Sequence, residues 1–384
     1  MIAPGAWLGL LGGGQLGRMF TMAAQSMGYK VLVLDPGTRG PAGSVADEHI
    51  VADYLDPKAL ESVAARCAAA TTEFENVPAD ALQFLSRHCV VSPSADSVAV
   101  AQDRIAEKTF LSSIGLEVVP FRAIHRLEEL DGGIAGLLPG ILKRSRLGYD
   151  GKGQVRVGTA EEARRAFVEL GNQPCVLEKL VTLDLELSVV VTRSFDGRVL
   201  AWPVSENGHA HGILDVSIVP ARVSDAMAET VRAAARSVAE RLGYCGVLCV
   251  EFFVLRDGRL LVNEIAPRPH NSGHYTIDAC VTSQFEQQAR VLCGLPLGAT
   301  DLHCPAVMVN LLGDLWAGGE PRWEHVLRHP RAKLHLYGKA QARPARKMGH
   351  YTVLGDTVEA ALAVAMQIKM LLTADAQADR LKTA

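Results

Sequence analysis

Aromatic residues make up only 5% of this 384-residue chain, and neither sign of charge prevails. The 39 Lys and Arg stand against 42 Asp and Glu, a formal net charge of −3. Such a chain has no basic field to hold a nucleic-acid backbone or an anionic membrane, so neither partner is expected. It has no run of 18 apolar residues, and its amino terminus lacks a basic segment followed by a cleavable apolar stretch. Membrane spanning and export are therefore not expected, and the cytoplasm is the expected compartment. No CxxC pair occurs among the eight cysteines, and several lie in apolar runs such as Leu248-Cys249-Val250. They read as buried free thiols in a reducing environment. Internal repeats, low-complexity segments and long linkers are absent as well.

What is present suits two or three globular domains, with 48% apolar and 21% charged residues. Trp7 to Leu11 reads as a strand, Gly12 to Gly17 as a tight turn, and a helix follows to about Met27. Val31 to Asp35 is then a continuous apolar strand, as in a parallel sheet covered on both faces. This βαβ unit carries Gly12-x-Gly14-x-x-Gly17 with Asp35 beyond it, the pattern of a dinucleotide-binding turn. A nicotinamide- or flavin-dependent oxidoreductase is therefore a rival reading. The motif itself promises only backbone N–H groups at a helix N-terminus, which bind any anion. Nothing later in the chain resembles a hydride-transfer site.

The strongest chemistry lies in two apolar strands, Val250 to Val254 and Leu260 to Glu264, joined across Asp257-Gly258. Asp-Gly is a favoured two-residue hairpin turn, and on that register Glu251 faces Glu264 on one side of the hairpin. Two opposed carboxylates destabilise a sheet unless something positive lies between them. A divalent metal held by Glu251, Glu264 and Asn263 resolves the conflict, and oxygen ligands suit Mg²⁺, with Mn²⁺ as a substitute. A second element is Lys143 at a strand end, followed by Gly148-Tyr149-Asp150-Gly151-Lys152-Gly153-Gln154, a glycine-rich loop able to close over phosphates. It is not a Walker loop, because no Gly-Lys-Ser/Thr follows. The strand Val176 to Val181, followed by Asp184 and Glu186, fits a nucleotide edge but also fits many edge strands. A helix from about Gln102, carrying Arg104 and Lys108, bridges the first domain to the second. A helix from Ser224 or Asp225 to Leu242 presents Val231, Val238 and Leu242 on one stripe.

In order and content, Lys143, the 148–154 loop, Glu178-Lys179, Glu251 and Asn263-Glu264 resemble the ATP-grasp superfamily. The resemblance implies that Lys143 and residues Gly148, Tyr149, Asp150, Gly151, Lys152, Gly153 and Gln154 serve the phosphates of ATP, and that Arg104 and Lys108 occupy ATP-side positions. It implies that Glu178, Lys179, Leu180 and Val181 meet adenine, that Glu186 takes the ribose, and that His209 lies near the nucleotide. Three further stretches are similar to the N5-carboxyaminoimidazole ribonucleotide synthetase family. They are Gly14-Gln15-Leu16-Gly17-Arg18-Met19, Ala266 to His274, and His335 to Lys339 with Arg346 to His350. That likeness runs over essentially the whole chain.

It implies ATP-dependent carboxylation of aminoimidazole ribonucleotide with bicarbonate, through carboxyphosphate. Lys339, Arg346 and Lys347 would take the substrate phosphate. Gln15, Leu16 and Glu73 would hold its base and ribose, with Asn271 nearby. Arg268, Tyr149, Lys152 and His270 are the catalytic candidates, Arg268 first because a planar guanidinium suits a carboxylate-like anion. The expected fold is α/β in three parts: a parallel-sheet βαβ domain (1–104), a central ATP-grasp domain (105–303) and a small β-rich C-terminal domain (304–384). A homodimer is expected by resemblance. Another ATP-grasp ligase, of the formate-using glycinamide ribonucleotide transformylase type, is the nearest alternative, and a catalytically dead ATP-binding regulator is a third.

Overall fold

The computed structural model describes residues 1–38, 40–146 and 153–383, with side chains of the last helix taken no further than Gln377. β1 (Trp7–Leu11), α1 (Gln15–Ser26) and β2 (Lys30–Leu34) form the expected βαβ unit. β3 (Glu48–Ile50), α2 (Pro57–Arg66), β4 (Ala69–Thr72), α3 (Ala79–Leu85), β5 (Val90–Val91) and α4 (Ala95–Ala101) complete the first domain. Its five strands are parallel, in the order β3-β2-β1-β4-β5. β1 and, beyond Lys30, β2 are apolar because both faces are covered. Leu8, Leu10, Val31 and Val33 pack with Phe20 of α1, while Leu11, Leu32 and Leu34 pack with Leu60, Val63 and Leu82. Strand order reverses at β1 and β4, and a sheet of this kind opens to ligands outside the carboxyl ends of those strands. Gly12 to Gly14 and Glu73 stand there.

α5 (Arg104–Ser113) starts from Asp103, whose carboxylate accepts the N–H of Ile105 at 3.0 Å and completes the bridge to the second unit. There β6 (Phe121–Ile124), β7 (Gly140–Arg144), β8 (Gln154–Val157) and β9 (Cys175–Lys179) pair antiparallel as β6-β9-β7-β8, covered by α6 (Ala160–Glu169).

One larger sheet holds the remaining strands. They are β10 (Leu183–Arg193), β11 (Val199–Ala201), β12 (Ser205–Ala210), β13 (Ile213–Val219), β14 (Gly246–Leu255), β15 (Leu260–Ala266), β16 (Ala306–Leu312), β17 (Ala332–Leu336) and β18 (Lys347–Leu354). Their order is β15-β14-β10-β12-β13-β16-β18-β17, with β11 on β10. α7 (Asp225–Arg241) has the expected Ser224 cap and lays Val231 and Val238 on β10 and β14. α8 (Thr276–Ala279) and α9 (Gln284–Leu292) follow the central hairpin, and α9 packs Phe285, Ala289 and Leu292 into the same core as α1. α10 (Glu324–Leu327) and α11 (Val358–Thr383) cover the last strands. The strands beyond Cys304 thus extend the central sheet instead of building one of their own.

The β14–β15 hairpin departs from the expected turn. Its loop has three residues, Arg256 to Gly258, with Gly258 at φ +83 and Leu255 N–H donating to Arg259 O at 2.9 Å. From Val254↔Leu260 to Phe252↔Val262 the register runs one residue off the expected one. Asn263 then has no partner, and beyond it Glu251 pairs with Glu264. A longer turn and a β-bulge cancel, so the two glutamates meet as expected by a different route.

Candidate active site

The bulge decides what β15 presents. In a regular strand, neighbours point to opposite faces; here both Asn263 and Glu264 are partly exposed. Glu251 on β14 lies across from them, and each carboxylate is answered by a cation from another element. Arg104 Nη1 of α5 donates to Glu264 Oε2 at 2.8 Å, and His270 Nε2 meets Glu251 Oε1 at 2.9 Å. Burial opposes ionisation of Glu264, but Arg104 overrides it and holds the carboxyl below its usual range. Burial likewise disfavours an imidazolium at His270, while the neighbouring Cys249 and Glu251 push its pKa up to about 10. The three side chains Glu251, Asn263 and Glu264 offer oxygen atoms and are partly exposed, which fits a hard divalent cation.

Beside them lies a buried charge triad. Glu178 of β9 takes Lys143 Nζ at 2.7 Å and Lys108 Nζ at 3.1 Å, with only 3% of its side chain exposed. Lys108 is fully buried and also approaches Asn263 O at 3.4 Å. Two of the side chains expected at ATP, Lys108 and Glu178, are therefore turned into the protein, where Glu178 holds both Lys108 and Lys143. Burial raises the Glu178 pKa, and the two lysines outweigh it, leaving the carboxyl below its ordinary value. Lys179 and Leu180 are exposed at the end of β9 and Val181 is half-buried, open to a nucleotide edge. On β10 and β12, Glu186 Oε2 and His209 Nδ1 lie 3.0 Å apart. Gln154 pairs with Lys143, and Gly153 at φ +73 turns the chain just before it. Gly148, Tyr149, Asp150, Gly151 and Lys152 lie outside the described residues.

On the first domain, the glycine turn already has its anion. Glu73 accepts the N–H of Gly14 and, at 2.8 Å, that of Gly17, and is buried. A Cβ on Gly12 would fall 2.3 Å from Glu73 Cγ, and one on Gly14 would fall 2.3 Å from Glu73 Oε1. Asp35 takes Gly13 N–H at 2.8 Å and Tyr54 Oη at 2.6 Å. The fingerprint's amide donors are thus spent on the protein's own carboxylates, and a pyrophosphate would have to evict a buried glutamate. That removes the main support for the oxidoreductase reading. Gln15 and Leu16 open α1 beside this turn, and Arg18, which the sequence reading left without a role, lies against Gly338.

Other candidates prove to be ties. Arg268 is paired with Glu75, joining the loop after β15 to the first domain, and donates to Pro269 O at 3.2 Å. Asn271 and Asn310 exchange amide hydrogen bonds of 3.0 and 2.7 Å, so the Asn271 side chain is committed to β16 and not open to substrate. Lys339 Nζ donates to Lys347 O at 2.6 Å, and Arg346 to Gln341 O at 3.0 Å, in the segment entering β18. Behind it Asp278, His335 and His350 place ligand atoms within 4.8 Å of one another. The two rings are stacked, 4.5 Å apart and 14° from parallel, so both cannot aim an in-plane lone pair at one ion. Instead Asp278 bonds His335 at 2.8 Å and Tyr337 bonds His350 at 2.9 Å.

Residues 6–102 match the ribonucleotide synthetase preATP-grasp domain, 109–285 the ATP-grasp domain, and 306–364 the phosphoribosylaminoimidazole carboxylase C-terminal domain. Over 354 residues the chain is 46% identical to an N5-carboxyaminoimidazole ribonucleotide synthase of Brucella melitensis, covering 91% of this chain and 97% of that protein. It is 45% identical to the Bacillus subtilis enzyme of the same name, covering 92% and 93%. An ADP complex of N5-carboxyaminoimidazole ribonucleotide synthetase superposes with a TM-score of 0.91 at 42% identity, over 98% of this chain and 99% of that one. An Aspergillus clavatus N5-carboxyaminoimidazole synthase, complexed with ADP and 5-aminoimidazole ribonucleotide, gives a TM-score of 0.87 at 31% identity, over 96% and 99%.

Proposed function

This chain belongs to the N5-carboxyaminoimidazole ribonucleotide synthases, ATP-grasp ligases that carboxylate aminoimidazole ribonucleotide in purine biosynthesis, and we propose that it does so through carboxyphosphate. Bicarbonate is a poor electrophile. A bicarbonate oxygen takes the γ-phosphoryl group of ATP, releasing ADP and giving a mixed anhydride. The substrate's exocyclic amine then attacks the anhydride carbon, the C–O bond to phosphate breaks, phosphate leaves, and the amine gives up a proton.

In this reading Lys143, kept in place by Glu178, and Arg104 neutralise the ATP phosphates. Residues 148–154 are assigned to the phosphates, and exclusion of water protects the anhydride. Glu251, Glu264 and Asn263 hold Mg²⁺, or Mn²⁺ in its place, which supplies charge neutralisation on the phosphates. Lys179 to Val181 line adenine, and Glu186 with His209 faces the ribose. Gln15, Leu16, Arg18, Lys339, Arg346 and Lys347 surround the ribonucleotide, with Glu73 shaping the floor beneath it. His270, which meets Glu251, and Arg268, in the loop after β15, are assigned to bicarbonate and its anhydride. Residues 1–104, 105–303 and 304–384 are proposed as the three functional units, acting in a cytoplasmic homodimer.

The observation that carries this reading is the opposition of Glu251 and Glu264 beside Asn263, next to a lysine held by a buried glutamate. The test is ADP release from MgATP and bicarbonate, with and without aminoimidazole ribonucleotide. Strong stimulation by the ribonucleotide with a labile carboxylated product is expected. Equal rates with and without it, or stimulation by formate and glycinamide ribonucleotide instead, refute the assignment.

A further inference from the structure

Three glutamines of α9, Gln284, Gln287 and Gln288, are 0%, 0% and 5% exposed. A buried amide costs free energy unless bonded, and an apolar side chain would fill the same space without that cost. The bonds they make leave the helix. Gln284 Oε1 accepts His270 N–H at 2.8 Å while its Nε2 donates to His270 O at 2.8 Å. This two-point grip takes the place of a neighbouring strand and holds the His270 main chain in one plane. The ring then fits between Ser272 Oγ at 2.9 Å and Glu251 at 2.9 Å. Gln288 Nε2 donates to Thr71 Oγ1 at 3.0 Å and Thr72 O at 3.3 Å, the last two residues of β4 before Glu73.

Residues four apart share a helix face and are separated by about 6 Å along its axis. We infer that α9 is a positioning element of the active site. Gln284 holds the loop of His270 and Gln288 holds the strand end that carries Glu73, so one rigid helix sets their spacing across two domains. Neither glutamine touches the reacting atoms. Gln287 makes the same kind of grip on Gly298, accepting its N–H at 2.9 Å and donating to its O at 3.1 Å, in a loop that carries no site residue. It is a buried control on the same helix with the same two-point grip as Gln284, which also meets His274 Nδ1 at 3.1 Å.

The inference rests on the roles proposed above for His270 and Glu73. The experiment compares Gln284→Met, Gln288→Met and Gln287→Met in the full chain, matched by melting temperature. Methionine keeps the volume and removes the amide. Gln288→Met is expected to raise KM for aminoimidazole ribonucleotide about tenfold, leaving KM for ATP unchanged, because a small misplacement at a site is costly. Gln284→Met is expected to lower kcat about tenfold with KM for the ribonucleotide unchanged, and Gln287→Met to alter stability alone. Gln284→Glu keeps the acceptor for His270 N–H but turns a second acceptor toward His270 O, so it is expected not to restore kcat. If all three methionine variants lose activity alike, or none does, α9 is a structural helix and the inference fails. A wild-type enzyme not stimulated by the ribonucleotide would instead overturn the proposed function beneath it.

Discussion

Replacing Glu178 by Gln tests whether the buried triad supports the ATP side. The carboxylate is 3% exposed and shared by Lys108, 1% exposed, and Lys143, 12% exposed. The substitution leaves Lys108 as a buried ammonium whose remaining polar contact is Asn263 O at 3.4 Å. Breaking a buried ion pair on one side costs about 3–5 kcal/mol, because an uncompensated charge stays behind. For a domain of this size each kcal/mol moves the melting point by about 2–4 °C, so a fall of roughly 6–20 °C is expected by calorimetry. Lys108→Met leaves Glu178 with Lys143 and is expected to cost less, and the double variant to lose less than the two singles summed. Melting of Glu178→Gln within about 2 °C of wild type, or strict additivity, would refute the reasoning.

Glu251→Gln is expected to lower ribonucleotide-stimulated turnover at least about a hundredfold, since it removes one of two opposed metal carboxylates; unaltered ATP hydrolysis would sink the metal assignment. Gly14→Ala puts a Cβ 2.3 Å from Glu73 Oε1 and is expected to cost about 1–3 kcal/mol of stability and raise KM for the ribonucleotide. A stable variant with wild-type KM would show that Glu73 does not need that close approach. His209 is expected to add stability that is present below its unfolded pKa and lost as pH rises through the higher folded one. Burial lowers its pKa, but Glu186 raises it more, to a net increase. Comparing wild type with His209→Gln in melting scans from pH 6 to about 9 checks the sign, and parallel curves refute it.

What the sequence made legible was local. The apolar runs of β1, β2, β14 and β15 and the Ser224 cap of α7 are set by neighbours a few residues away. Each can be read from periodicity and turn chemistry. The opposition of Glu251 and Glu264 was legible only through a cancellation. The three-residue loop and the bulge at Asn263 each shift the register by one, and either alone would have turned Glu264 to the wrong face. The partners of buried charges could not be read in this way. Glu178 with Lys108, Arg268 with Glu75 and Asn271 with Asn310 are separated by 70, 193 and 39 positions, judging by their numbering and contacts.

The glycine turn carries that lesson furthest. Its pattern guarantees amide donors at the start of α1, because three glycines let the chain turn tightly into a helix. It says nothing of which acceptor those donors meet. That acceptor is Glu73, more than fifty residues on and brought in by the parallel pairing of β1 with β4. Its oxygens take the amide donors of Gly14 and Gly17, so a pyrophosphate would have to displace a buried carboxylate to reach them. The charge partners proposed for a phosphate there are Arg18, which lies against Gly338, and the segment around Lys339. A motif shared with dinucleotide enzymes therefore supports a mononucleotide site, because one buried carboxylate has changed what the same backbone can bind.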